Sequence, residues 1–200
     1  TLDGMFDTHA NDITFDIETK NLFQDVGSND ARDLDISVIC LHDSLDNSYQ
    51  SFFQEDFKKL WPIIEEADAL ITWNGDHFDI PLLDKYYPGD LTKIKSIDLM
   101  KEVQNVLGRR LKLDSVAQAT LGTKKSGHGL DAIEWWKNQE LDKLVKYCID
   151  DVRITRELFD FAIAKGHLKF PDAGSIRDIK LDTKGWQTPA EHAMTFTLPF

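Results

Sequence analysis

The pattern of apolar and polar positions predicts three strands before any helix. Residues 13–19 are a β-prone run in which two acids, Asp16 and Glu18, lie two positions apart. Residues 34–41 and 47–53 have the β-branched and aromatic content of two further strands. The links between these runs are short, so an antiparallel meander is expected.

A helical period replaces the alternation from Glu55 onward, and two short apolar runs interrupt it. The runs at residues 69–73 and 94–98 predict buried strands, the first of them covered on both faces. Further helices are predicted at residues 78–87, 99–107, 113–121, 131–137 and about 140–164. This order of elements predicts an α/β fold with a mixed five-stranded sheet flanked by helices.

The last part of the chain has no clear period. Residues 167–200 contain Pro171, Pro189 and Pro199 and show neither alternation nor helical spacing. The sequence therefore predicts one domain over residues 1–166, followed by an extension that packs on the domain or trails from it.

Composition narrows the possible partners and the compartment. A formal net charge of −12 argues against binding nucleic acid across a broad basic face, so any such contact must be local. Cys40 and Cys148 lie far apart in apolar segments, which favours buried free thiols in a reducing, cytoplasmic compartment. No apolar run approaches the roughly 18 residues of a membrane span, so no membrane partner is expected.

Three groups of residues are candidates for chemistry. In a strand, Asp16 and Glu18 share one face, where adjacent carboxylates call for a cation; a solvated acidic face is the alternative. Asp79 follows the buried strand at a helix start, where it either faces a cleft or only compensates the helix dipole. Tyr147 and Asp151 lie at i and i+4 of the long helix, so both reach one cleft or form a surface contact.

In order, the three groups resemble the motifs of a known family, the metal-dependent 3′-to-5′ exonucleases of the DEDDy branch of the ribonuclease H-like superfamily. The motifs are Asp-x-Glu at 16–18, Asn followed by Phe-Asp at 74–79, and Tyr-x-x-x-Asp at 147–151. The histidine branch would carry His where this chain has Lys146. The resemblance spans roughly residues 12–163. It includes the proofreading domain of family B DNA polymerases and, more closely, its stand-alone relatives.

The resemblance implies a ribonuclease H-like fold and a site for two divalent cations, Mg²⁺ or Mn²⁺. Asp16, Glu18, Asp79 and Asp151 would hold the cations, with Asp16 bridging both, and Tyr147 would orient the attacking water. The implied activity is hydrolysis at the 3′ end of single-stranded nucleic acid, with DNA favoured, to release nucleoside monophosphates. An exoribonuclease and a non-catalytic binding module of the same fold remain alternatives. A fused or associated replication, repair or helicase module is a possible partner.

Several other residues are candidates for contact with the substrate. Asn74 and Phe78 lie in the second motif, although Asn74 could also cap a helix. Lys124 and Lys125 lie in a Gly-rich loop that would contact phosphates or be a solvated loop, and Arg109-Arg110 is a second basic pair. Aromatic residues that could stack on bases are Trp73, Phe78, Trp135 and Trp136.

Overall fold

A computed structural model describes residues 10–123 and 129–189 of the protein. The strands in these ranges are β1 (Asp12–Thr19), β2 (Ile36–Asp43), β3 (Ser48–Phe52), β4 (Ala69–Thr72), β5 (Ser96–Asp98), β6 (His167–Asp172) and β7 (Ser175–Lys180). The α-helices are α1 (Phe23–Val26), α2 (Phe57–Glu65), α3 (Asp79–Asp84), α4 (Leu99–Leu107), α5 (Leu113–Leu121), α6 (Gly129–Lys137) and α7 (Leu141–Lys165). No helix in these ranges has the length and apolar content needed to cross a membrane.

The main sheet has five strands in the order β3-β2-β1-β4-β5. β1 pairs antiparallel with β2, and β2 pairs antiparallel with β3, which confirms the predicted meander. β4 pairs parallel with β1 and with β5, so the sheet is mixed as predicted. The register between β1 and β2 shifts between Glu18 and Thr19, and such irregularities redirect side chains at the end of a strand.

Apolar side chains cover both faces of this sheet. Adjacent residues of β4 point to opposite faces, so Leu70 joins the cluster formed with α2 and α3, whereas Ile71 joins the cluster formed with α4, α5 and α7. All four residues of β4 are buried. Burial on both faces explains why this strand is a continuous apolar run rather than an alternating one.

The C-terminal part of the chain differs from the prediction. Residues 167–180, expected to be extended and without regular structure, form the antiparallel hairpin β6–β7. Its turn has positive φ at Ala173 (46°) and Gly174 (84°), the geometry of a tight two-residue hairpin. Pro171, which pairs with Ile176, has no N–H and therefore masks the strand pattern in the sequence.

The hairpin packs on the face of the sheet that α4, α5 and α7 cover. Leu168 and Ile179 are fully buried in the cluster that contains α5 and α7. The backbone N–H of Lys169 donates to Thr120 Oγ1 of α5 at 2.9 Å. Trp186, beyond β7, stacks on Phe159 of α7 with ring centroids 5.6 Å apart. The hairpin and the segment after it therefore form part of the second core cluster.

Candidate active site

The central strand and the longest helix bring three carboxylates together. Asp16 and Glu18 project from β1, and Asp151 projects from the buried stripe of α7, which packs against β1 and β2. One oxygen from each of the three carboxylates lies within 4.8 Å of the other two. Asp151 is buried, and Asp16 and Glu18 are half-buried. The two motifs that are farthest apart in the sequence therefore meet at one place.

Asp79 lies beside this group but is not part of it. It is the first residue of α3, and its Oδ1 accepts a hydrogen bond of 3.0 Å from the backbone N–H of Ile17 in β1. Its side chain is buried, and burial, together with the nearby charge of Asp16, raises the pKa of Asp79 well above its usual range. The structure thus places Asp79 next to the central strand.

Tyr147 and Cys148 occupy the turn of α7 before Asp151. Tyr147 is 2% exposed, and its ring meets Trp135 of α6 edge to face, with centroids 5.6 Å apart. Cys148 Sγ lies 3.4 Å from the backbone oxygen of Asp16 and 3.7 Å from its Oδ2. Burial raises the pKa of this thiol well above its usual range, so Cys148 is a neutral group packed behind Asp16.

A cleft of about 450 Å³ opens onto the carboxylates. Asp16 and Asp151 line it together with Asn74, Arg110 and Lys112. A second cleft, of about 350 Å³, adjoins it and shares Asn74 and Arg110 with the first. Acidic and basic side chains therefore face each other across the first cleft.

Asp98 organises the backbone between the two clefts. It is the N-cap of α4, where it accepts from Met100 N and Lys101 N. The same carboxylate accepts from Asn74 N at 2.8 Å and from Asp76 N at 3.2 Å, in the turn after β4. Burial raises the pKa of Asp98, and these backbone hydrogen bonds act against that rise. Asp98 therefore ties the turn after β4 to the start of α4.

The predicted substrate contacts are placed differently from one another. Asn74 has φ 75° and lines both clefts; the N-cap of α3 is Phe78, so Asn74 does not cap that helix. Phe78 packs edge to face on Phe23, with centroids 6.1 Å apart, at the border of the first core cluster. Lys124 and Lys125 lie outside the described residues.

Only some of the remaining basic and aromatic candidates line the clefts. Arg110 lines both clefts, whereas the guanidinium of its neighbour Arg109 lies over the ring of Phe170, 5.7 Å from its centroid. Trp73 lines the first cleft. Trp136 lies under Lys20 Nζ at 5.1 Å. The structure therefore distinguishes between two adjacent arginines that the sequence leaves equivalent.

Lys112 was missed by the sequence interpretation. It lines the first cleft from the extended segment before α5. A signal for it existed, because residues i and i+2 of an extended segment point the same way and Lys112 is two positions after Arg110. The four hydrogen bonds of Asp98 left no such signal, since they depend on how the turn after β4 folds back.

The three-carboxylate group fits a hard divalent cation. Its donors are all oxygens, the ligand type that Mg²⁺ and Mn²⁺ prefer. Oxygens that share one Mg²⁺ at about 2.1 Å lie no more than about 4.2 Å apart, which is close to the 4.8 Å within which all three carboxylate oxygens lie. Asp16, Glu18 and Asp151 are therefore the residues of this chain that would hold such an ion.

The sheet order and the acids on β1 and α7 define an α/β domain of ribonuclease H-like fold with a carboxylate site on its central strand. The chain belongs to the RNase_H superfamily, whose family profile matches residues 13–163. The predicted fold class is thereby confirmed.

Two curated relatives are archaeal DNA polymerases. The DNA polymerase of Thermococcus aggregans is 31% identical over 137 residues, which cover 52% of this chain and 8% of the polymerase. The DNA polymerase of Thermococcus litoralis is 30% identical over 137 residues, with the same shares. Each alignment thus spans only a small part of the polymerase.

A solved structure shows the same fold. The family B DNA polymerase from the hyperthermophilic archaeon Pyrobaculum calidifontis superposes with a TM-score of 0.61 at 19% identity. The superposition covers 77% of this chain and 24% of the polymerase. The domain therefore shares its fold with a region of that polymerase.

Proposed function

We propose that this protein is a metal-dependent 3′-to-5′ exonuclease of the tyrosine-containing branch, acting on single-stranded nucleic acid with DNA favoured. The observation that carries the proposal is the meeting of Asp16, Glu18 and Asp151 within 4.8 Å, where Asp16 and Asp151 also line a cleft. Adjacent carboxylates repel one another, and a fold keeps them together where cations neutralise them.

The chemistry is hydrolysis of a phosphodiester. Water attacks phosphorus, the bond to the 3′ oxygen breaks, and a nucleoside 5′-monophosphate and a shortened strand with a 3′ hydroxyl are released. Two Mg²⁺ or Mn²⁺ ions, when bound, would neutralise the phosphate and favour both the attacking and the leaving oxygen. Asp16, Glu18 and Asp151 would hold them, with Asp79 contributing from beside β1.

Tyr147 has the role of orienting the attacking water in this proposal. Its position one helical turn before Asp151, packed against Trp135, fixes the ring and limits where its hydroxyl can point. A ring held one helical turn before Asp151 supports a positioning role.

The reaction is tested by time-resolved digestion of 5′-labelled single-stranded DNA and RNA of matched sequence. The assays contain Mg²⁺, Mn²⁺ or EDTA. The expected result is a metal-dependent ladder that shortens from the 3′ end, with DNA degraded faster. A ladder on RNA alone would favour an exoribonuclease. No cleavage by folded protein in any assay would contradict the proposal and favour a binding module.

A matched pair of variants on α7 tests the site. Asp151→Asn removes a negative charge from the three-carboxylate group, and we expect cleavage to fall at least about 1000-fold. Asp150→Asn changes the residue before Asp151, whose carboxylate lies 3.7 Å from the Arg153 guanidinium. Its cleavage rate should stay within about twofold of the wild-type rate. Equal loss in both variants, or full activity of Asp151→Asn, would refute this site.

A further inference from the structure

The two clefts beside the carboxylates meet at one basic residue. Asn74, Met100 and Arg110 line both of them, so the two spaces join at these side chains. The first cleft, about 450 Å³, holds the carboxylates, and the second, about 350 Å³, lies beyond Arg110. A nucleic-acid strand that has its last phosphodiester at the carboxylates can continue into the second cleft, and it must then pass Arg110.

Arg110 is held in place at this junction without using all of its donors. Its Nε donates to Met100 Sδ at 3.3 Å, and its Nη2 donates to Asn74 Oδ1. A guanidinium carries five N–H groups, and no hydrogen bond between described residues uses Nη1. The side chain therefore combines two orienting contacts with a donor group, Nη1, that no described residue uses.

The partner of Arg110 is itself fixed. Asn74 has φ 75°, and its backbone N–H donates to Asp98 Oδ1 at 2.8 Å. Asp98 also caps α4, so the turn that carries Asn74 is tied to the start of that helix. A guanidinium oriented through such a chain of contacts loses little side-chain entropy when it binds a ligand.

The charges around the second cleft favour Arg110 as its phosphate contact. Lys101 lines this cleft together with Asp76 and Asp98. Lys101 Nζ lies 2.6 Å from Asp76 Oδ2, and Asp98 accepts four backbone hydrogen bonds, so these three charged groups are already engaged. His77 and Gln104 add polar groups to the lining. A planar guanidinium binds two phosphate oxygens at once, which a lone ammonium does not.

We infer that Arg110 binds the strand's phosphate at the junction of the two clefts and that the second cleft receives the nucleotide that precedes the scissile bond. This inference rests on the proposed function, because it gives the carboxylate cleft to the 3′-terminal nucleotide. It makes Arg110 a substrate-binding residue that sets the path of the strand, and it assigns no such role to Arg109.

The test measures binding without cleavage. All proteins carry Asp151→Asn, and fluorescence anisotropy reports binding of a 5′-labelled hexathymidylate in Mg²⁺ over a range of salt concentrations. Arg110→Ala should raise Kd about 5- to 20-fold and lower the salt slope by about 0.7, the value for one phosphate contact on a single strand. Arg110→Lys should recover part of the affinity and most of the salt slope, because it keeps the charge.

Arg109→Ala is the matched control, since its guanidinium lies over Phe170 and not in the clefts. Its Kd should stay within about twofold of the parent's Kd, and its salt slope should equal the parent's within error. Equal effects of Arg109→Ala and Arg110→Ala, or an unchanged slope in Arg110→Ala, would overturn the inference. If Arg110→Ala fails to fold, the salt slope of Arg110→Lys is used instead. A salt slope that Arg110→Lys lowers by about 0.7, the value for one lost phosphate contact, would overturn the inference.

The digestion assay separates the two failures. Cleavage by the wild-type protein combined with unchanged binding by Arg110→Ala would overturn this inference and leave the nuclease proposal standing. Weakened binding by Arg110→Ala in a protein that never cleaves would support the strand path and contradict the nuclease proposal.

Discussion

Buried acids are the most informative single residues in this protein. Asp79 accepts from one backbone N–H, and Asp98 accepts from four, so both carboxylates keep part of the hydrogen bonding that water would give them. Asp12, at the other end of β1, differs because its Oδ1 has no hydrogen-bond partner among the described residues. Desolvation that is only partly compensated should make Asp12 a destabilising residue at neutral pH.

The pH dependence of stability tests this reading of Asp12. Burial raises its pKa to about 6 from 3.8, against the opposing charges of Arg156 and Lys95 and with the added repulsion of Asp68 and Asp160. Between pH 4 and 6 the folded state therefore binds more protons at this position than the unfolded state, and its contribution to stability falls as pH rises. Asp12→Asn should stabilise the protein at pH 7.5 by on the order of 2 kcal/mol, and by much less at pH 4.5.

Urea unfolding of the two proteins at both pH values measures this difference. Glu134→Gln, at an exposed position of α6, is the control and should change the unfolding free energy by less than about 0.5 kcal/mol at either pH. An Asp12→Asn protein that is no more stable than the wild type at pH 7.5 would contradict the assignment.

Local spacing predicted which site residues share a face, but not which contacts they make. The i, i+2 pair on β1 and the i, i+4 pair on α7 follow from strand and helix periods, and their meeting follows from the order of the motifs. The hydrogen bond from Ile17 N to Asp79 depends on a turn, and so does the separation of the Arg110 side chain from that of Arg109. The periodicity of the sequence does not encode the geometry of these turns.

At the scale of elements, the turn from β4 into α3 controls the site. Gly75 follows Asn74 and precedes Asp79, and its N–H donates to Thr72 Oγ1 at 3.1 Å. A Cβ at Gly75 would lie 2.1 Å from that oxygen and 2.4 Å from Thr72 Cβ, distances that require the backbone to move. This turn therefore requires glycine, because only glycine can lie so close to Thr72. The short distance to Thr72 sets the directions of the side chains of Asn74 and Asp79.

We expect Gly75→Ala to destabilise the protein by about 1–3 kcal/mol and to weaken nuclease activity beyond the loss of folded protein. The reason is that relief of the clash displaces Asn74 and Asp79 together. Thermal unfolding and specific activity per folded molecule measure the two effects. Gly129→Ala is the control, because a Cβ there meets nothing within 4 Å. Unchanged stability of Gly75→Ala would show that the turn tolerates a side chain.

The hairpin β6–β7, like the single-turn helix α1, was not predicted from the sequence. Strands β1 to β5 and helices α2 to α7 were located to within a few residues, because each carries a strong period or a bounded apolar run. β6 alternates only over its first four residues before Pro171, and β7 exposes five of its six residues, so the strand pattern is too short to stand out in the sequence. Long-range packing on α5 and α7, rather than local pattern, determines this hairpin.

For the molecule as a whole, the hairpin tests where the folding unit ends. In β7, Ile179 is fully buried, whereas Ile176 is 56% exposed. If the hairpin is integral to the second core cluster, Ile179→Ala should cost about 2–4 kcal/mol of unfolding free energy and Ile176→Ala less than about 1 kcal/mol. Urea unfolding followed by tryptophan fluorescence measures both, since Trp186 stacks on Phe159 in the same cluster.

Equal and small effects of the two variants would show that the hairpin adds little to the core. That result would support a folding unit that ends near α7, as the sequence predicted with residues 1–166. A large effect confined to Ile179→Ala would extend the unit through the hairpin.

The packing of α7 on β1 also determines when the carboxylate group can form during synthesis. Cys148 and the backbone of Asp16 touch although they are 132 residues apart in the chain. During synthesis the first acids leave the ribosome long before their helical partners exist, and pairing over such a separation makes folding slow. Until α7 has been made, Asp16 and Glu18 are ordinary solvated acids, and the nascent protein gains its three-carboxylate group only once Asp151 is available.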